Sequence, residues 1–483
     1  MRTPYGRTTF ASESLQVHAL ALADAGYSVV LQDVRGRGDS EGAFSPFVNE
    51  QSDGLDTVDW VADQSWCNGS IGLAGISYNA FAQTAIASGG SDAVACWVPG
   101  LAPSDIRTSW IRRGGVFDLG FHLAWGLGAI ATVDARTERP EALLSAFDEP
   151  VATARRGIRG QSELASTPAG KWFFEWAESK DPYPENLGIP THDQLASVEV
   201  PALVVAGWFD VFSSGSLELL ESLRSGPRGG HHRLVGGPWD HSGLPLGRKA
   251  GERDFGLSAA IDLHELQLEW FDAHLKDGGD VRHDRIFLTG RNAWTLEPSW
   301  PPTTEDLTLY LAADRLLTEE PGSPTAIEVS VDPNDPPPVP GGAVFPWEPA
   351  LRPGAHDQRQ RRDRPDVAAF SGRRLESPLI VAGSARVHVP VAGTPQRAVV
   401  ATLVELTPSG PHWNISDGVG SIDAASGVAS LHLGPVAHEF SIGSRIGLDL
   451  AFAADVRLAP AERGRSVIDA GRQPAYLVLP VVT

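Results

Sequence analysis

Cysteine is almost missing from this chain: Cys67 and Cys96 are the only two among 483 residues. Two are too few for a disulfide framework at this length, and both lie in apolar stretches that suit small buried hydrophobes. Long hydrophobic runs are missing as well. No run of about 18 uncharged apolar residues occurs, which argues against a membrane span. The start, Met1-Arg2-Thr3-Pro4-Tyr5-Gly6, has no leader pattern, so a cytoplasmic location is the expectation. Positive charge is in short supply. The formal net charge is −21, and neither nucleic acid nor an anionic membrane surface is expected as a partner. Lysine is scarce, four against 35 arginines, which reads as base composition rather than chemistry. Metal-ligand spacings are lacking too: His264-Glu265 has no second histidine of a zinc helix, and His231-His232 has no acidic or cysteine companion. The glycines of 36–42 are spaced Gly-x-Gly-x-x-x-Gly and lead into a phenylalanine-rich loop, not a helix, so a dinucleotide loop is rejected. Neither a cofactor nor a metal is expected.

What is present is an ordinary globular composition, 42% apolar and 20% charged, in a chain too long for one compact domain. Residues 27–34, 70–76, 93–98, 201–208 and 232–237 are short, nearly continuous apolar runs, as strands covered on both faces should be. Between and after them, 12–25, 54–65 and 258–279 carry apolar residues at helical spacing, the last stopped by Gly278-Gly279. Alternating strands and helices imply a mostly parallel, doubly covered sheet. Residues 105–196 break the rhythm with Trp, Phe and Arg in helix-like patterns and predict a helical cap. From 291 the runs 307–313, 385–391, 398–406, 429–433, 445–452 and 475–482 alternate as strands of a β sandwich or jelly roll do. The expected division is therefore 1–104 and 197–290 for an α/β core, 105–196 for the cap, and 291–483 for the β domain. The Pro-rich run 332–354 reads as a surface excursion. No internal repeat is apparent.

The chemistry centres on "GISYNAF", residues 75–81. A strand, a serine in a tight turn and a helix are the setting of a nucleophile elbow, and Gly75 and Ala80 are small where such a turn crowds. Two partners follow in the chain order Ser, acid, His, each just past a later strand: Asp210 in Gly207-Trp208-Phe209-Asp210, and His241 in Gly237-Pro238-Trp239-Asp240-His241. In such a triad the histidine takes the serine proton and the aspartate orients it. Asp240 is less suited than Asp210, because a direct sequence neighbour rarely faces the ring. Phe212, Trp208 and Trp239 flank the acid and histidine and are candidate pocket walls. Trp110, Trp125, Trp172 and Trp176 read as packing within the cap. Asp33, Arg35, Arg37 and Asp39 read as a salt-bridged turn near the site.

The motifs "DVRGRGDSEG" (33–42), "WCNGSIGLAGISYNA" (66–80), "GWFDVF" (207–212), "GPWDH" (237–241), "WFDAHLKDG" (270–278), "TGRNAWTLEPSWPP" (289–302) and "HDQRQRRDRPDV" (356–367) resemble, in register, the cocaine esterase/Xaa-Pro dipeptidyl-peptidase-like serine hydrolases (the CocE/NonD type). That family's nucleophile pattern is Gly-x-Ser-Tyr-x-Gly/Ala, which Gly75, Ser77, Tyr78 and Ala80 satisfy, so Asn79 stands at a permissive position. The resemblance implies an α/β-hydrolase core, a helical cap and a C-terminal jelly roll. It also implies a two-donor oxyanion hole: the backbone N–H of Tyr78 and the phenol of Tyr5. Family members carry a strand before this Pro-Tyr, beside the nucleophile strand; a chain opening at Met1 lacks it unless another segment takes the place. A small ester or amide is the expected substrate, with a carboxylesterase or acylase ranked above an Xaa-Pro dipeptidyl-peptidase. The latter needs a carboxylate for the free α-amine, for which Glu175 and Glu178 are undistinguished candidates. An acyltransferase, or a binding protein without activity, are the readings from other classes; a homo-oligomer is left open.

Overall fold

Six strands build the central sheet of this computed structural model, which describes all residues except 10–11, 13–17, 132–140, 166, 180–188, 243–245, 277–280, 323–325 and 472. Their order across the sheet is Ala293–Glu297, Asp284–Leu288, Arg233–Gly237, Leu203–Gly207, Val94–Gly100, Ile71–Ile76. All run parallel except the edge strand Ala293–Glu297, which folds back on Asp284–Leu288 as a hairpin. That hairpin corrects the boundary at 290, since the core sheet runs on to Glu297. Its tight turn, with Gly290 and Asn292 at positive φ, has the composition of a domain junction. Helices Glu50–Ala62, Tyr78–Gly89, Ser213–Ser225 and Leu263–Leu275 accompany the sheet. The expected stop at Gly278-Gly279, like most of the first half of the 12–25 helix, lies outside the described residues; Ala19–Asp24 is helical.

The run 27–34 departs from its expected form. Only Gln32–Asp33 pairs as strand, in parallel with Arg2–Thr3, and residues 27–32 are half-buried or exposed rather than covered on both faces. Strand backbone groups need partners along their length; Met1 extends the pairing only as far as Val30 O (2.9 Å), and among the described residues no strand pairs with 27–31. A slot of about 420 Å³ remains between Val29, Val30 and Gln32 on one side and Ile71, Leu73 and Ala74 on the other. Cys67 lines this slot and is only half-buried, whereas Cys96 is buried as expected.

Residues 106–178 supply the cap: the α-helices Leu119–Leu123, Glu141–Asp148, Pro150–Arg155 and Pro168–Glu178, and the wider π-helical turns Ile106–Ile111 and Ala124–Ala131. Beyond the core, two sheets face each other. One carries the long strands Leu379–Ala392 and Val428–Phe440; the other is ordered Val367–Arg374, Arg445–Ala451, Ala398–Leu406, His412–Ser421. Their inward side chains, among them Val389, Val399, Leu403, Leu448 and Leu477, form one apolar core. This β domain docks on the hydrolase sheet through Thr289, whose N–H donates to Ala437 O at 2.9 Å.

The Pro-rich run 332–354 is not a surface excursion. Val344, Trp347 and Leu351 are buried in the aromatic core of the cap. A buried charge cluster pins the segment there: Ala343 N–H donates to Asp417 (2.6 Å), Arg457 pairs with Asp417 (2.5 Å) and Asp118 (3.3 Å), and Arg113 pairs with Asp118 while donating to Val211 O and Ala343 O at 3.0 Å each. Cap, sheet and β domain thus meet beside Asp210.

Candidate active site

Ser77 sits at φ 62°, ψ −125°, the left-handed turn between strand Ile71–Ile76 and helix Tyr78–Gly89. Non-glycine residues avoid such values unless the surroundings impose them. Here the Ser77 N–H is tied to Gly100 O (3.0 Å) on the next strand, and Ser77 O receives the N–H groups of Ala80 and Phe81. Gly75 is required at the approach, because a Cβ there would lie 2.7 Å from Asn79 Cβ. Asn79 itself is fully buried, where its amide reaches Met1 Sδ at 3.7 Å, so the position tolerates more than glycine.

Two later turns bring up the partners. The turns after Leu203–Gly207 and Arg233–Gly237 are laced together by Trp208 N–H to Gly237 O (2.8 Å) and Phe209 N–H to Trp239 O (3.0 Å). Gly207 permits this contact, since a Cβ would meet Trp239 O at 2.5 Å. The result is a continuous relay. Ser77 Oγ donates to His241 Nε2 at 3.0 Å, and His241 Nδ1 donates to Asp210 Oδ2 at 2.7 Å. The other oxygen, Asp210 Oδ1, accepts the Phe212 N–H at 2.7 Å. Asp210 is fully buried and Ser77 is 7% exposed. Asp240 takes no part in the relay and instead accepts the Ser242 N–H at 2.9 Å.

Tyr5 and Tyr78 flank the serine. Tyr78 opens the helix, at the end where backbone N–H groups lack intrahelical partners. Its phenol accepts the Phe47 N–H (2.8 Å) and donates to Glu50 (2.9 Å), which is paired with Arg2 at 2.8 Å. Both charges are buried. Removing one partner of such a pair strands the other, so Arg2→Met is expected to destabilise the fold by about 3–5 kcal/mol, read as a lower urea midpoint. Tyr5 is held through its chain by Arg37, whose Nε donates to Pro4 O at 2.7 Å. Its phenol oxygen accepts the Trp125 indole N–H at 3.0 Å, and burial pushes its pKa up to about 12 against the opposing influence of Trp125 and Ser77. The phenol therefore stays protonated and able to donate. The turn of Asp33 and Asp39 supports the same loop by pairing with Arg7, while Arg35 pairs outside it with Asp53.

The pocket walls differ from expectation. Phe212 does face the site, edge-on to His241 at 5.5 Å and stacked on Trp110 at 4.8 Å. Trp208 and Trp239 do not. Trp208 stacks on Trp300 at 5.6 Å and donates to Phe287 O, and Trp239 donates to Ala259 O on the helix-covered face. Each sits in a sheet core because backbone turning directs it away from Asp210 or His241 beside it in the chain. Phe345, from the Pro-rich segment, stands in their place at 5.2 Å from the His241 ring and 5.3 Å from Phe121. Glu175 and Glu178 are exposed, on the side of their helix away from buried Trp172 and Trp176. Among the described residues no cluster of three or more metal-ligating side chains occurs, and no helix is long and apolar enough to cross a membrane.

A parallel sheet with a serine elbow and its acid and histidine at the ends of later strands defines a serine hydrolase of the α/β-hydrolase fold. Residues 1–243 match the X-Pro dipeptidyl-peptidase (S15) family, and 274–455 match the X-Pro dipeptidyl-peptidase C-terminal non-catalytic domain. The chain belongs to this family. It is 32% identical over 453 residues to cocaine esterase of Rhodococcus sp. (strain MB1 Bresler), covering 87% of this chain and 77% of that protein. Two solved structures share the fold over 100% of this chain and 91% of theirs, each at 21% identity. They are an aminopeptidase from a marine sediment archaeon, Thaumarchaeota archaeon (TM-score 0.80), and an alpha-amino acid ester hydrolase (TM-score 0.77).

Proposed function

We propose that this chain is a carboxylesterase or acylase that works through an acyl-enzyme on Ser77. The observation that carries this reading is the unbroken relay from Ser77 Oγ to His241 (3.0 Å) to buried Asp210 (2.7 Å). Ser77 Oγ attacks the substrate carbonyl carbon while His241 Nε2 takes its proton. Negative charge grows on the carbonyl oxygen, facing Tyr78 N–H and the Tyr5 hydroxyl. On collapse, His241 returns the proton to the departing alcohol or amine. Water then repeats the sequence and frees the acid, with Asp210 holding the imidazole Nδ1–H throughout. Phe212 and Phe345 beside the histidine, with Phe121 packed against both, suit an apolar or aromatic group on the substrate.

Similarity to cocaine esterase supports the ester reading, and Glu175 and Glu178 are exposed rather than buried as Ser77 and Asp210 are. A panel of p-nitrophenyl esters against Ala-Pro and Gly-Pro arylamides tests the ranking. Higher kcat/KM for aryl and apolar acyl esters is expected; faster cleavage of the dipeptidyl amides overturns it. Tyr5→Phe is expected to lower kcat on the best ester by about 10²–10³, the usual cost of one oxyanion donor, with KM nearly unchanged.

A further inference from the structure

Trp125 lies on the cap, in the π-helical turn Ala124–Ala131, and its indole Nε1–H donates to the Tyr5 hydroxyl oxygen at 3.0 Å. The ring has little room to turn. It stacks on Tyr78 (6.1 Å, 14°) and Trp176 (6.1 Å, 20°), meets Trp110 edge-on at 5.0 Å, and leans on Trp172 at 5.1 Å. An indole N–H can only donate, and a phenol has a single O–H. With one lone pair of the Tyr5 oxygen engaged by Trp125, the phenolic hydrogen is turned away from the indole and left for an acceptor elsewhere, with Ser77 among the groups near the phenol. A hydroxyl that accepts a hydrogen bond also becomes a stronger donor, because the two bonds polarise one another.

We infer that Trp125 is a positioning residue of the oxyanion hole: its indole N–H orients and sharpens the Tyr5 hydroxyl toward the substrate oxygen. This rests on the oxyanion role proposed for Tyr5. It gives the cap a part in the chemistry besides covering the substrate, since the donor on the core is aimed by a residue from the cap.

A double-mutant cycle tests it, with steady-state kinetics on one p-nitrophenyl ester for the wild type, Trp125→Phe, Tyr5→Phe and the double variant. Phenylalanine keeps an aromatic ring and loses the donor. Trp125→Phe is expected to lower kcat about tenfold, the scale of one lost hydrogen bond, with KM changed by less than about twofold. The double variant is expected to be no slower than Tyr5→Phe alone. Equal losses from Trp125→Phe in both backgrounds, or an effect on KM alone, overturn the inference and leave a packing role. No loss in Tyr5→Phe is a separate result, which removes Tyr5 from the site and this inference with it. Benzothienylalanine at 125, which replaces the N–H by sulfur in a ring of nearly the same shape, serves where phenylalanine loosens the aromatic packing. It is expected to reproduce the kcat loss, and full activity overturns the inference.

Discussion

Replacing His241 with alanine is expected to lower kcat on a p-nitrophenyl ester by about six orders of magnitude, the scale on which loss of the base acts in such triads. The reason lies in the relay. The Ser77 hydroxyl has His241 Nε2 at 3.0 Å as the group able to take its proton, and an un-ionised alcohol is a poor nucleophile. Loss of the base removes both the proton acceptor for attack and the proton donor for the leaving group. KM should stay within a few-fold, since the histidine acts in the transition state more than in the bound ground state. Steady-state kinetics on the purified variant measures this, with circular dichroism to show retained structure. A loss of less than about tenfold would mean that another group carries the proton.

Asp210→Asn is expected to be the second largest loss, about 10⁴ in kcat. Asp210 accepts the imidazole Nδ1–H with one oxygen and the Phe212 N–H with the other, both at 2.7 Å. An amide can keep the backbone bond through its oxygen, but its NH₂ group then faces Nδ1. That favours the tautomer with the proton on Nε2, where it cannot accept from serine. Thermal stability should change far less than kcat. Asp240→Asn is the control, because Asp240 is engaged with Ser242 rather than the imidazole. Comparable losses in both variants would move the acid role from Asp210.

The elbow was readable because its parts are local. Gly75, Ser77 and Ala80 mark a crowded turn, and the acid and histidine follow strands that announce themselves as apolar runs. Of the pocket walls only Phe212 was readable. Trp208 and Trp239 are each within two residues of a relay member, yet the backbone turn sends both rings into the core of the sheet. Phe345 comes from a segment whose proline and glycine content describes surface, and its place depends on Asp417, Arg457 and Arg113 meeting from three parts of the chain. The Trp125 contact to Tyr5 joins cap to core, and nothing local distinguishes this tryptophan from its packed neighbours. Strand His412–Ser421 escaped notice for a related reason. Its buried positions include Asn414, Ser416 and Asp417, whose polar atoms are satisfied by other segments, among them His356 N–H, Gly434 O and Arg457. Strands with apolar inward positions, such as the first half of Val428–Phe440 where buried and exposed residues alternate, carry the pattern that sequence reveals.

Whether Ser77 is the nucleophile is decided by covalent trapping. The folded wild-type protein is treated with a fluorophosphonate and digested, and the modified residue is located by mass spectrometry. One adduct per chain is expected, on Ser77, with little labelling in His241→Ala and none at this site in Ser77→Ala, which has also lost ester turnover. Folded, ester-cleaving protein that carries no adduct on Ser77, or a Ser77→Ala variant that keeps its turnover, contradicts Ser77 as the nucleophile.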